Sequence, residues 1–282
     1  MSDFNAQVIA EFRANGGAVG GPFEGAPLVL LTTAGARTGR PHTNPAVHLR
    51  DGGRYLVFAS NAGGPNNPAW YHNMLASPRV TVEIGTGTGE VTIVAARAVP
   101  LTGDERDRCW ELQCSIDPAF RAYEARTTRT IPVIALHPLD LSADPARARM
   151  VGQQLRRHHD DLRADLLRLR TELDGAGAGP APDVAEQLRR RCLIFCYGLQ
   201  LHHTRENGAF TAFEDHLPEL RPAIARLRAE HRDVEEALAG FEATLTSGDT
   251  DAAALRAELD RVVEGLERHF AYEEQELVTA VS

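Results

Sequence analysis

The segment Leu199 to Asn207, LQLHHTREN, puts two metal-grade side chains where a helix would otherwise carry only core. At spacings of three and four it belongs to the row Leu188, Cys192, Phe195, Leu199, His202, Glu206, Ala209 and Phe213, one face of a helix. His202 and Glu206 therefore sit on the apolar stripe, and the neighbouring His203 is read as lying off it. A carboxylate buried there without a partner costs several kcal/mol, so a cation or a hydrogen-bonding network has to neutralise Glu206.

Three further segments carry the same anomaly. Val151, Leu155, His159, Leu162, Leu166, Leu169 and Leu173 form one seam, interrupted by His159. Leu220, Ile224, Leu227, His231, Val234, Leu238, Phe241 and Leu245 form another, interrupted by His231. In Leu255, Leu259, Val262, Leu266, His269, Glu273 and Leu277 a histidine and a glutamate lie one turn apart on the buried side. One seam histidine is more often a satisfied core residue than a ligand. Four of them with two seam glutamates would require six separate polar burials, each costing about 1–3 kcal/mol if unsatisfied. Imidazole and carboxylate without thiolate favour iron or manganese over a Cys-rich zinc site, and a four-helix core can hold two ions about 3.5–4 Å apart.

The motifs HDDLR (His159 to Arg163), HHTRE (His202 to Glu206), EHRDV (Glu230 to Val234) and HFAYEE (His269 to Glu274) make residues 148–282 resemble a hemerythrin-type HHE cation-binding domain. The resemblance implies a non-haem di-iron centre with His159, His202, Glu206, His231, His269 and Glu273 as ligands. One position departs from it. Where the oxygen-carrying hemerythrins have a second histidine one turn after the third-helix ligand, this chain has Glu235. A more anionic set of ligands points away from simple oxygen carriage and toward oxygen activation, peroxide chemistry or sensing.

A length of 282 residues suggests two domains, each able to bury its own core. The first half is rich in Gly, Thr, Pro and Val, the second in Leu, Arg, Ala and Glu. The net charge is −9 and there is no basic run, which argues against nucleic acid or an anionic membrane as partner. The opening MSDFNAQVIAEFRANGG is too polar for a signal peptide and no stretch approaches 18 apolar residues, so a cytoplasmic protein without a transmembrane segment is expected. Cys109, Cys114, Cys192 and Cys196 are read as buried thiols rather than a disulfide framework.

Along the first half, Phe4, Val8 and Phe12 mark a short amphipathic helix whose apolar face is expected to pack on the following domain. Strands are expected at PLVLLTTA, NPAVHLR, RYLVFAS, RVTVEIGT, GEVTIVAARAV and TIPVIAL, with a hairpin turn at Asp51 to Gly53. Short helices are expected at 68–77 and after Thr102, whose spacing to Glu105 is that of a capping box. Six strands with few helices argue a closed or nearly closed antiparallel barrel. Two polar loops look chemical. Thr32 to Pro45 mixes glycines, hydroxyls, Arg37 and Arg40, a composition suited to a phosphate or carboxylate, though equally found in a hairpin connection. Ser60 to Asn73 runs through Gly63 and Gly64 into a helix N-terminus.

TTAGARTGRP, VFASNAGGPNNPAWYHNMLASPRV and YEARTTRTIPVIAL make residues 1–139 similar to the deazaflavin-dependent nitroreductase family, also described as quinone reductases using coenzyme F420. The resemblance implies a split β-barrel (α+β) binding reduced deazaflavin. It assigns Arg37, Thr38, Gly39 and Arg40 to the anionic tail, and Ser60 and Asn61 to the ring. Gly63, Gly64 and Trp70 fall to the phosphate-proximal wall, Tyr123 to the substrate side, and Ser60 and Tyr123 become the catalytic candidates. Ala36 and His42 stand where the family usually has basic residues, which weakens the clamp and leaves FMN as an alternative cofactor.

The expectation is thus a reductase barrel (1–139), a linker (140–147) and an all-α four-helix bundle (148–282). The barrel would transfer hydride to a quinone, nitro or related acceptor, coupled to two iron ions in the bundle that would react with oxygen, peroxide or nitric oxide. A bundle acting only as an oxygen or redox sensor of the barrel is the alternative, and homo-oligomerisation is left open.

Overall fold

The computed structural model describes residues 3–142, 144–175, 182–247 and 252–281. By contact pattern the chain divides into two compact units, Met1–Leu139 with Thr204–Ala212, and Asp140–His203 with Phe213–Ser282.

The barrel strands are β1 (Leu28–Ala34), β2 (Pro41–Asp51), β3 (Arg54–Phe58), β4 (Arg79–Gly85), β5 (Val91–Pro100) and β6 (Val133–Pro138). They close in the order β1-β2-β3-β6-β5-β4, every neighbouring pair antiparallel. Closure leaves no unpaired strand edge. Asp51 pairs with Arg54 across the expected Gly52-Gly53 turn, where Gly52 has φ +61°. Val29, Leu31, Val57, Val82, Ile134 and Leu136 fill one core cluster. Helix α1 (Asp3–Ala14) buries Val8 and Phe12 against Leu28 and Leu30, while Phe4 stays 48% exposed beside Phe23.

Helices α2 (Ala69–Ala76), α3 (Gly103–Ile116) and α4 (Ala119–Ala125) connect the strands. Thr102 occupies the N-cap of α3, but its side chain makes no capping bond, so the expected capping box does not form. Helix α4 has no counterpart in the sequence reading.

The second half consists of α5 (Pro145–Gly175), α6 (Pro182–His216), α7 (Arg221–Ser247) and α8 (Ala252–Glu273). Helix α5 starts within the stretch read as linker, because Pro145 suits a first helical turn. Leu162, Leu166, Cys192, Phe195, Leu199, Leu238, Phe241, Leu259 and Leu266 form a core to which all four helices contribute. The side chains of the expected seam residues Leu173, Leu188 and Leu255 lie outside the described ones, as do residues 176–181. Past α8, one π-helical turn, Glu274–Val278, changes the helical phase directly after Glu273. Cys109, Cys114, Cys192 and Cys196 are buried and free, as expected.

Candidate functional site

The polar residues of the bundle core converge. His159, His202, Glu206, His231, His269 and Glu273 are all buried, at 0–6% exposure. His159, His202 and Glu206 bring ligand atoms within 4.8 Å of one another. A second group, His203, Glu206, His231 and His269, does the same. Glu206 belongs to both. Glu273 contacts one histidine from each, its Oε2 lying 3.4 Å from Nε2 of His159 and 3.6 Å from Nε2 of His269. Two carboxylates thus stand between two sets of imidazoles, a donor arrangement that suits a pair of cations. Two nitrogens about 2.1 Å from one metal and at right angles lie about 3.0 Å apart. Nε2 of His231 and Nε2 of His269 are separated by 3.0 Å.

Their other ring nitrogens are held from outside. His159 Nδ1 lies 2.9 Å from Oε1 of Glu274, which also accepts from Arg163 Nη1 at 3.0 Å. His269 Nδ1 lies 2.9 Å from Oε2 of Glu230, whose other oxygen accepts from Arg226 Nε at 2.8 Å. Burial pushes both carboxyls up, but hydrogen bonds from the histidine and arginine outweigh it and hold Glu274 and Glu230 below the usual carboxylate range. An ionised carboxylate at Nδ1 fixes the proton there and turns the Nε2 lone pair inward, which is how metal-binding histidines are oriented.

Two expectations are corrected. His203, read as off the seam, is fully buried, its ring stacked on His231 with centroids 4.2 Å apart. An apolar stripe wider than 100° admits adjacent positions, and α6 is enclosed on more than one side. Glu235 is exposed, so it does not make the ligand set more anionic. Cys192 and Cys196 of the bundle core belong to neither ligand group. Burial raises Cys192 to about 11 and Cys196 to about 12.

In the barrel, the first polar loop leaves β1 as a tight turn. Gly35 N–H donates to Arg40 O and Gly39 N–H to Gly35 O, with Gly39 at φ +69°. Buried Asn73 of α2 anchors the turn, accepting from Ala36 N–H at 3.0 Å and donating to Thr33 Oγ1 at 3.0 Å. Arg37, Thr38 and Arg40 are consequently presented to solvent.

The second loop is held in an uncommon backbone state. Asn61 and Ala62, neither of them glycine, have φ +47° and +50°, a conformation that persists only where surroundings impose it. Arg129 imposes it by donating to Ser60 O (2.7 Å), Gly64 O (3.0 Å) and Asn67 Oδ1 (2.5 Å). At Gly63, φ +79°, a Cβ would fall 2.7 Å from the Tyr123 carbonyl, which brings α4 and Tyr123 against this loop. Ser60, Asn61, Gly63, Gly64 and Tyr123 are therefore neighbours. Trp70, the expected wall residue, is 7% exposed and packs within the barrel core. Asn73 and Arg129 escaped the sequence reading because their partners lie 40 and 65 residues away.

Residues 5–138 match the F420H(2)-dependent quinone reductase family. An F420H(2)-dependent quinone reductase of Mycobacterium tuberculosis strain ATCC 25618 / H37Rv is 36% identical over 129 residues, covering 45% of this chain and 85% of the relative. The chain belongs to this family. Its counterpart in M. tuberculosis strain CDC 1551 / Oshkosh gives the same values, 36%, 45% and 85%. A solved F420-H2 dependent reductase, FDR-A, is 34% identical, covers 39% of this chain and 93% of that one, and superposes with a TM-score of 0.35. Beyond the quinone reductase family region, residues 151–281 match the hemerythrin HHE cation-binding domain, and the chain carries that domain in addition. Among the described residues no helix is long and apolar enough to cross a membrane.

Proposed function

We propose that this protein is an F420H2-dependent oxidoreductase whose barrel reduces a quinone, nitro or related acceptor, and whose bundle holds two iron ions that react with oxygen, peroxide or nitric oxide. Family membership supports the first half. The observation that carries the second is the pair of buried ligand groups sharing Glu206.

When bound, reduced deazaflavin supplies the hydride. The chain's own part is binding and orientation. Arg37, Thr38, Gly39 and Arg40 offer exposed cationic, hydroxyl and backbone donors to an acidic tail, on a turn pre-set by Asn73. Ser60, Asn61, Gly63 and Gly64 form the ring side on the loop that Arg129 clamps, and Tyr123 faces the same loop from α4. The fixed loop avoids ordering costs on binding.

In the bundle, an iron pair supplies the redox chemistry. His159 and His202 would hold one ion and His231 and His269 the other, and Glu206 and Glu273 would supply carboxylate donors. Glu274 and Glu230 keep the histidine protons on Nδ1. Phe270 of the apolar core stacks on His159, with ring centroids 4.1 Å apart.

Anaerobic titration with reduced F420 tests the barrel assignment. Binding weakens as salt rises, since exposed charges are screened over about 10 Å at 0.1 M, and Arg37→Ala weakens it further. Tight binding of FMN with no affinity for F420 contradicts it.

A further inference from the structure

Glu235 leaves helix α7 with one inward donor, His231, at the turn where the resemblance to oxygen-carrying hemerythrins calls for two. We propose that His203 is the missing ligand: α6 donates consecutive histidines to two different ions, His202 to one and His203 to the other. The proposal deepens the two-iron reading above and rests on it.

Successive residues on a helix point about 100° apart, so adjacent side chains diverge. His202 groups with His159, whereas His203 groups with His231 and His269. Glu206 is four residues past His202 and three past His203, both spacings that meet on a helix surface, and it is the residue common to the two groups. The sequence HHTRE is thus a compact two-ion unit, two imidazoles splayed to either side of one carboxylate. His203 is 0% exposed, whereas Glu235 lies on the solvent side of α7. One ion then receives His159 and His202, the other His203, His231 and His269, and the two share Glu206 and Glu273.

Anaerobic Co(II) titration of the metal-free full chain reads this directly, through the visible bands of the bound ion and competition with a chelator. Wild type takes up two equivalents. His203→Ala and His203→Gln retain one tight site and bind the second at least about ten-fold more weakly, with loss of a different band set from that lost in His202→Ala. Glu235→Ala behaves as wild type. His203 variants that bind two ions with wild-type affinity and bands overturn the assignment while leaving the two-ion reading intact. Wild type that takes up fewer than two removes both. Should the variants not fold, wild-type protein still decides it. Hyperfine-shifted ring N–H signals number five in its Co(II) NMR spectrum with His203 bound, counting His159, His202, His203, His231 and His269, and four without it.

Discussion

Nε2 of His231 on α7 and Nε2 of His269 on α8 face each other across 3.0 Å in a fully buried setting. Glu230 draws the His269 proton to Nδ1, so the Nε2 lone pair of His269 faces His231 and accepts either the His231 Nε2 proton or, with the His231 lone pair beside it, a cation. A cation replaces that proton and takes both lone pairs. Metal binding is therefore coupled to folding of the bundle. Fe(II) or Co(II) raises the melting temperature of wild type, by an amount corresponding to about 2.7 kcal/mol per bound ion at a hundred-fold excess over Kd. His231→Ala and His269→Ala lose the increment of the ion they hold in the same calorimetric scans. An increment retained in both variants contradicts the site.

The carboxylates behind the ligands contribute through basicity rather than contact with metal. Glu274→Gln and Glu230→Gln lower metal affinity about 10- to 100-fold in chelator competition, while the metal-free proteins melt close to wild type. Melting losses equal to those of a core truncation, with affinity unchanged, assign these residues a structural role instead.

The buried thiols give a pH signature. Burial raises Cys192 and Cys196 from 9.0 to about 11 and about 12, the latter helped by the adjacent Cys192 and Glu242. Their protonated forms are favoured in the folded state. That contribution is fully present below about 9 and is lost as pH rises through about 11 to 12. Urea midpoints accordingly fall more steeply above pH 9 for wild type than for the Cys192→Ala/Cys196→Ala double variant. Parallel slopes contradict the shifts.

Much of this was readable from the chain. Period-3.6 seams located the four bundle helices and six of the buried polar residues, and the Asp51 to Gly53 turn located the β2–β3 hairpin. His203 was not readable. Seam spacing assumes one buried edge, and a helix in a bundle has neighbours on two sides. Nor was the lock on the second loop. Arg129 reaches Ser60 across 69 residues of sequence, a pairing created by barrel closure and not by any local pattern.

The loop lock has a measurable consequence. Gly63→Ala puts a Cβ 2.7 Å from Tyr123 O at a positive φ, costing on the order of 1–3 kcal/mol in urea unfolding of the barrel. Arg129→Ala frees the Asn61–Ala62 strain and weakens F420 binding more than it weakens the fold. Unchanged F420 affinity in Arg129→Ala would falsify the role given to this loop.

The central claim is that reducing equivalents enter at the barrel and that the bundle metals act downstream in the same catalyst. The most direct test follows oxygen consumption and quinone reduction together, with iron-loaded protein and reduced F420. The account predicts that wild type does both, that His269→Ala reduces quinone at the wild-type rate but consumes no oxygen, and that Arg37→Ala loses both. Iron-loaded wild type that reduces quinone yet shows no catalytic, F420-driven oxygen consumption, with a quinone rate that changes when the iron is oxidised, contradicts it and makes the bundle a sensor.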